Sequence, residues 1–206
     1  MFGSLRLQRL PSAHPGIALA ARAAAIFIAL FVAGIAIAIA GMNPIELGGR
    51  VISASFGSAF GMEDLGVLVI PLILTGLAVA VGQQIGAWNI GAEGQFYAGA
   101  FAASAVGLFV PGPQWMILIL MFIAGTVGGA VWILVPTLAR AYANVNELIT
   151  TLLLNFVATL LVYYVSTGPW RDRSGMANSA TPPLSADVPY FWGIVHWGFP
   201  IAIGLA

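Results

Sequence analysis

The 206-residue chain contains no cysteine and no lysine, and it has few charged residues of any kind. The absence of cysteine excludes disulfides, thiolate metal sites and a thiol nucleophile. The absence of lysine excludes the phosphate-binding P-loop, which requires that residue, and therefore excludes NTPases built on it. Because the net charge is zero, nothing in the composition favours a nucleic acid as a partner.

What the chain does contain is apolar. Hydrophobic residues make up 60% of it and charged residues 7%, whereas soluble domains carry about 25% charged residues. The mean hydropathy is +0.99. Such a surface is suited to lipid, so the composition predicts an integral membrane protein with several spans.

The apolar runs predict an all-α, polytopic transmembrane helix bundle, since a helix of about 20 apolar residues crosses the hydrocarbon. Five spans are expected, followed by the start of a sixth at Phe191; the five are 23–41, 65–81, 96–110, 115–138 and 148–165. The arginines at positions 6, 9 and 22 place the N-terminus on the cytoplasmic side. External loops are then expected at 42–64, with a short interfacial helix at 45–60, and at 166–190. We treat residues 1–206 as a single membrane domain.

The segment 82–95 departs from this apolar pattern. Three glycines interrupt it, and five polar side chains accompany them; these residues are Gly86, Gly91, Gly94, Gln83, Gln84, Asn89, Glu93 and Gln95. Short, glycine-interrupted hydrophobic segments are typical of broken or re-entrant helices around a transported solute. A charge at membrane depth usually faces a cavity or a partner because its desolvation is costly. This pattern makes Asn89, Glu93 and Gln95 candidates for the substrate pathway.

A simpler interpretation of the same segment is a cytoplasmic turn followed by a well-capped helix. Asn89 is then the N-cap of a helix that begins at Ile90, and Glu93 lies in the first turn, where its charge suits the helix dipole. The glycines permit close packing in either case. The residues alone leave both interpretations open.

A second polar group opens the fifth span. Asn144 and Glu147 have the spacing of an N-cap and its reciprocal partner, so we expect them, with Asn146, to organise an inner turn. Asn155 lies about two turns further along the same span. A buried asparagine needs partners, and it therefore either bonds another helix or lines the pathway.

Three blocks of the sequence resemble one known family. They are LTGLAVA at 74–80 with WNIGAEGQ at 88–95, NVNELITT at 144–151 with Leu153, Leu154 and Asn155, and STGPWRD at 166–172. In order and spacing they are similar to permease subunits of ABC importers for nucleosides and simple sugars. That group belongs to the broader ribose and branched-chain amino acid permease family, and the resemblance covers residues 15–206. Family members are considerably longer, so the chain is expected to be truncated at its C-terminal end.

The resemblance implies a permease that moves a small polar solute across the bacterial inner membrane. It also implies an ATPase subunit, a second permease subunit and an extracytoplasmic substrate-binding protein as partners, with lipid around the helices. No cofactor, metal or catalytic residue is expected, and the chain is not expected to be an enzyme.

Two other function classes, a secondary transporter and an intramembrane enzyme, are alternatives to the permease. An ion-coupled secondary transporter would need intramembrane acids, and Glu93 is the only candidate away from the long loops. An intramembrane enzyme would need a nucleophile and a base within reach, or a metal site. His196 is the only membrane-proximal histidine, and neither HExxH nor GxSxG occurs. The secondary transporter is therefore the stronger alternative.

Overall fold

A computed structural model describes residues 15–174 and 181–206. The predicted cytoplasmic Arg6 and Arg9 lie outside the described residues. The seven helices of the described part are α1 (Pro15–Ile39), α2 (Pro44–Phe56), α3 (Ala59–Gln84), α4 (Ala92–Phe109), α5 (Gln114–Ala143), α6 (Glu147–Thr167) and α7 (Gly198–Leu205). Two short strands, β1 (Tyr190–Trp192) and β2 (Val195–His196), precede α7 and pair antiparallel. The chain forms two compact units, the first ending at Gly61 and the second beginning at Met62.

In the first unit, α1 is followed by a tight turn and by α2. Asn43 caps α2, because its side-chain oxygen accepts hydrogen bonds from the backbone N–H groups of Ile45 and Glu46 at 3.0 and 3.3 Å. Glu46 pairs with Arg50 one turn later, at 2.6 Å, and both side chains are exposed. The predicted short helix at 45–60 is therefore present, although it ends at Phe56.

The predicted external loop at 42–64 is wrong in its last part. Helix α3 already begins at Ala59, six residues before the predicted span. Its first turn is capped by Ser58, whose hydroxyl oxygen accepts a hydrogen bond from the Gly61 N–H at 3.0 Å. Serine is a favoured N-cap, so the cap supports a helix start among residues that composition alone assigns to the loop.

The core of the second unit is the packing of α4 against α5 and α6. Two glycines face each other across α4 and α5: a Cβ built on Gly99 of α4 would lie 2.9 Å from the carbonyl oxygen of Gly125 on α5. Further along, a Cβ on Gly128 would lie 2.7 Å from that of Ala102. Because no side chain separates the two backbones there, the helices approach closely, as small residues allow in membrane proteins.

The segment after α6 returns to the far end of α4 and to the start of α3. Ser185 donates hydrogen bonds from its N–H and its hydroxyl to the Gly107 carbonyl, at 3.0 and 2.5 Å. Val195 is only 1% exposed and packs against Gly66, while the N–H of Ile194 donates to a Glu63 carboxylate oxygen at 3.1 Å. The predicted sixth span is therefore wrong in its start, because residues 190–196 form a hairpin and the helix begins at Gly198.

Four described helices are long and apolar enough to cross a membrane: 16–39 in α1, and the whole of α3, α5 and α6. Helix α4 has 18 residues and is not among them, because Glu93 and Gln95 occupy its first turn. An all-α membrane helix bundle with several spans is thus confirmed. The count of five spans and the start of a sixth are not.

Candidate functional site

The glycine-rich segment is a break between two helices. Helix α3 ends at Gln84, and α4 begins at Ala92. Gly86 has φ +72°, the Ala87 N–H donates to the Gly82 carbonyl at 2.9 Å, and the Gly86 N–H donates to Gln83 at 3.1 Å. These bonds form a Schellman C-cap, in which a left-handed residue ends the helix and satisfies its last carbonyls. Gly86 thus breaks the helix, as the sequence predicts for this segment.

Asn89 lies before α4 but does not cap it, so that prediction is wrong. The N-cap is Gly91, two residues later than expected, and it has no side-chain cap bond. The Asn89 side-chain oxygen instead accepts from the Gly91 N–H at 3.1 Å, and its amide donates to Gln95 Oε1 at 3.3 Å. In a helix that began at Ile90, the Gly94 N–H would bond the Ile90 carbonyl; here both groups bond one side chain of α6 instead.

That side chain is Asn155. Its Oδ1 accepts a hydrogen bond from the Gly94 N–H at 2.8 Å, and its Nδ2 donates to the Ile90 carbonyl at 2.9 Å. The first N–H groups of a helix have no partner within the helix, and Asn155 supplies one for α4 from a neighbouring element. The sequence left open whether Asn155 bonds another helix or lines the pathway, and the structure shows the inter-helix bonds. A pathway role stays a prediction.

Two further side chains of α6 hold the same segment. Glu147, Thr151 and Asn155 are spaced four residues apart and therefore share one face of the helix. The Glu147 Oε1 accepts from the Trp88 N–H at 3.0 Å, and the Thr151 Cβ lies 2.9 Å from the position of a Cβ on Gly91. Glycine at position 91 is thus required for close approach.

Glu147 also joins α6 to the end of α5. Its second carboxylate oxygen pairs with the Arg140 guanidinium. One carboxylate therefore ties the end of α5, the start of α6 and the linker 85–91 together. Arg140 lies in the last turn of α5 and Glu147 in the first turn of α6, so each charge also suits the dipole of its own helix.

The predicted cap of α6 at Asn144 is wrong. Asn144 adopts a left-handed conformation, with φ 49° and ψ 30°, and ends α5. Asparagine tolerates this conformation better than most residues. Asn146 is the N-cap of α6, because its side-chain oxygen accepts from the Leu148 N–H at 3.0 Å. The three residues do lie together where α5 ends and α6 begins, with Asn144 and Asn146 in separate roles. That this turn is on the inner side stays a prediction.

Glu93 and Gln95 lie on α4 beyond the break. Gln95 is half-buried and bonds Asn89, whereas Glu93 is exposed in the first turn of the helix, as predicted. Neither of the two ion pairs found within residues 15–174 and 181–206 involves Glu93. Within the same residues there is no group of three or more His, Asp or Glu side chains that could hold a metal ion.

A cavity of about 230 Å³ lies between the break, the end of α5 and the start of α6. Its walls are largely apolar, with Ile85, Ile133 and Pro136 among them. Its polar groups come from Trp88, Asn89, Thr137, Arg140, Glu147 and Thr151. Trp88, Thr137 and Arg140 were not among the candidate pathway residues, since nothing in the sequence places the end of α5 beside the break.

The chain is similar in sequence to known proteins. Residues 61–199 match the model of a family described as the permease component of the branched-chain amino acid transport system. The chain belongs to this permease family. The matched residues include the break between α3 and α4, the turn between α5 and α6, and the face of α6 formed by Glu147, Thr151 and Asn155. No solved structure matches the chain.

Three curated relatives of the chain are named as ABC transporter permease proteins. The glucose permease TsgB13 of Haloferax volcanii is 38% identical over 191 residues, which are 86% of this chain and 50% of the relative. The guanosine permease NupP of Bacillus subtilis is 29% identical, over 72% of this chain and 44% of the relative. The nucleoside permease NupB of Lactococcus lactis is 33% identical, over 73% and 42%. The chain thus spans about half the length of these relatives, and its resemblance to the nucleoside and sugar type is confirmed.

Proposed function

We propose that this chain is a permease subunit of an ABC-type importer for nucleosides or simple sugars, and that it forms part of the solute path. The observation that carries the proposal is the family match over residues 61–199, together with relatives named for glucose, guanosine and nucleosides. The subunit binds and conducts the solute and carries out no chemical step. Residues 1–206 act as one membrane domain in the inner membrane of a bacterium.

The proposal includes five crossings and the start of a sixth, with α4 as the third. Helix α4 packs against both α5 and α6, and its most extensive contact is with α5. A helix with protein on two sides needs less apolar surface than one surrounded by lipid, which accounts for its lower hydropathy. Lipid covers the exposed apolar faces of the other helices, and α7 begins the sixth crossing.

The proposed partners are an ATPase subunit, a second permease subunit and an extracytoplasmic substrate-binding protein. Nucleotide closes the ATPase subunits, and the two permease chains open the path alternately to each side. The cycle requires the two states to differ in their affinity for nucleotide. Within this chain, Asn89, Glu93, Gln95 and Asn155 border the path at the break between α3 and α4.

Uptake by membrane vesicles tests this function. Vesicles that contain the chain with its ATPase subunit, second permease subunit and substrate-binding protein are loaded with ATP and given labelled guanosine or glucose. We expect uptake that depends on both ATP and the binding protein. Uptake that persists without them and follows an imposed proton gradient would instead support the alternative, an ion-coupled secondary transporter.

A further inference from the structure

The cavity beside the helix break combines apolar walls with a few convergent polar groups, which is the usual composition of a small-molecule site. Trp88 is 60% exposed and is one of the residues that line the cavity. Its backbone N–H donates to the Glu147 carboxylate at 3.0 Å, which fixes the main chain from which the indole extends. An indole is a suitable surface for stacking a flat ring, so Trp88 gives the cavity an aromatic residue for stacking.

The polar groups of the cavity keep unused hydrogen-bonding capacity of both kinds. Arg140 has five N–H donors, some of which remain after its pairing with Glu147. The Thr137 hydroxyl donates to the Ile133 carbonyl at 2.7 Å, so its oxygen is left to accept. Asn89 can donate a second amide hydrogen. Because a hydroxyl group both donates and accepts, this mixture suits a hydroxylated ligand.

The charges that line the cavity cancel. Among the described residues that line it, Arg140 and Glu147 are the only charged ones, and they pair with each other. An anionic ligand would have to compete with Glu147 for the guanidinium, and a cationic one with Arg140 for the carboxylate. Because its two charged side chains are paired, the cavity selects against both anionic and cationic ligands. An unpaired charge in a partly desolvated site is costly.

We propose that this cavity is a solute-binding site for a neutral, hydroxylated ring compound, stacked on Trp88 and hydrogen-bonded by Asn89, Thr137 and the Arg140–Glu147 pair. This inference rests on the proposed transport function, which it deepens by assigning a place and a ligand class. Guanosine and glucose are the neutral probes, and guanosine 5′-monophosphate is the charged one.

Binding to the purified full chain in lipid nanodiscs tests the site. Trp88→Ala is expected to raise the dissociation constant of guanosine about tenfold, the effect typical of removing one aromatic–base stack. The matched control is Trp115→Ala, because Trp115 is similarly exposed, at 66%, and lies outside the cavity. An unchanged dissociation constant in Trp88→Ala, or an equal loss in the control, overturns the proposal.

A filling substitution tests the same site while leaving the Trp88–Glu147 hydrogen bond in place. Thr137→Phe is expected to abolish guanosine binding because the ring occupies the cavity. Thr126→Phe is its control: both threonines are exposed on α5, both donate to the carbonyl four residues earlier, and only Thr137 lines the cavity. Binding that survives in Thr137→Phe overturns the proposal even if Trp88→Ala proves unstable.

The charge argument has its own test. Glu147→Gln keeps a side-chain oxygen for the Trp88 N–H but leaves Arg140 unpaired. Preference for guanosine 5′-monophosphate over guanosine is then expected to rise by about fivefold or more. The double variant Arg140→Gln/Glu147→Gln should restore the original preference. No change in the single variant, or no restoration in the double, overturns the assignment of charge selectivity to this pair.

Failure of the site and failure of the transport function give different results. If ATP-dependent uptake is observed while the Trp88 and Thr137 variants bind guanosine normally, the site is overturned and the function stands. If the neutral probes bind as expected while vesicles show no ATP-dependent uptake, the function fails and the site stands. If the unmodified chain binds neither guanosine nor glucose, the site is overturned.

Discussion

The Asn155 side-chain oxygen accepts a hydrogen bond from the Gly94 N–H at 2.8 Å, so α6 supplies the partner for a backbone donor at the start of α4. The two residues are 61 positions apart in the chain. The Asn155 amide also donates to the Ile90 carbonyl, on the other side of the helix start. One side chain thus fixes both the end of the linker and the beginning of α4.

Replacement of Asn155 by leucine is expected to destabilise the protein by about 2–6 kcal/mol, because it leaves the Gly94 N–H and the Ile90 carbonyl without partners at roughly 1–3 kcal/mol each. Thermal unfolding of the chain in nanodiscs measures the effect. Thr159→Val, one turn further along α6, removes only a hydroxyl bonded to the Asn155 carbonyl within the helix, so its effect should stay below about 1 kcal/mol. Equal effects of the two variants would contradict the bridging role.

Gly94→Ala is expected to destabilise by about 1–3 kcal/mol, the usual cost of overpacking. The added Cβ would lie 2.8 Å from the Asn155 Oδ1 and 3.1 Å from the indole nitrogen of Trp132. Gly76→Ala in α3 is the control, because no atom lies within 4 Å of its Cβ position and alanine favours the helix. The same unfolding measurement should show Gly76→Ala as neutral or stabilising. A stable Gly94→Ala would mean that α4 is free to move away from α6.

The sequence predicts the helix break but not the side-chain contacts around it. The composition of 82–95 marks a break, and Gly86 ends α3 through a local motif whose bonds span only a few residues. The predicted capping roles of Asn89 and Asn144 are wrong for the same reason. Asparagine can cap a helix, bond a nearby turn or adopt a left-handed conformation, and distant contacts decide among these. Near Asn89 the distant contact is that of Asn155, which bonds the Gly94 N–H and the Ile90 carbonyl.

The hairpin at 190–196 shows the same limit. Residues 191–206 are continuously apolar enough to predict a span, but 190–196 form strands because Val195 is buried against Gly66 and Glu63 holds the turn. These partners lie about 130 residues earlier in the chain. The helical spans, by contrast, were predictable because a long apolar run in lipid satisfies its backbone within itself.

Val195→Ala is expected to loosen the hairpin, because Val195 is 1% exposed and its two methyl groups fill the space beside Gly66. Loss of this packing should cost about 1–2 kcal/mol and raise amide hydrogen exchange in residues 190–197. Ile194→Ala provides the comparison, since Ile194 is 40% exposed. Mass spectrometry of exchanged peptides separates the cases. Faster exchange in Ile194→Ala than in Val195→Ala would show that the hairpin is not anchored through Val195.

Because the chain contains no cysteine, single cysteines can report directly on the proposed path. Glu93→Cys is expected to react with a membrane-impermeant maleimide added from the cytoplasmic side, since Glu93 is exposed at the helix break. Ala98→Cys, one and a half turns further along α4, is the buried control at 6% exposure and should stay unlabelled. Saturating guanosine should slow the labelling of Gln95→Cys by about threefold or more if solute passes this side chain, as a site occupied most of the time would require. Labelling at position 95 that is absent from both sides throughout turnover would remove the break from the pathway.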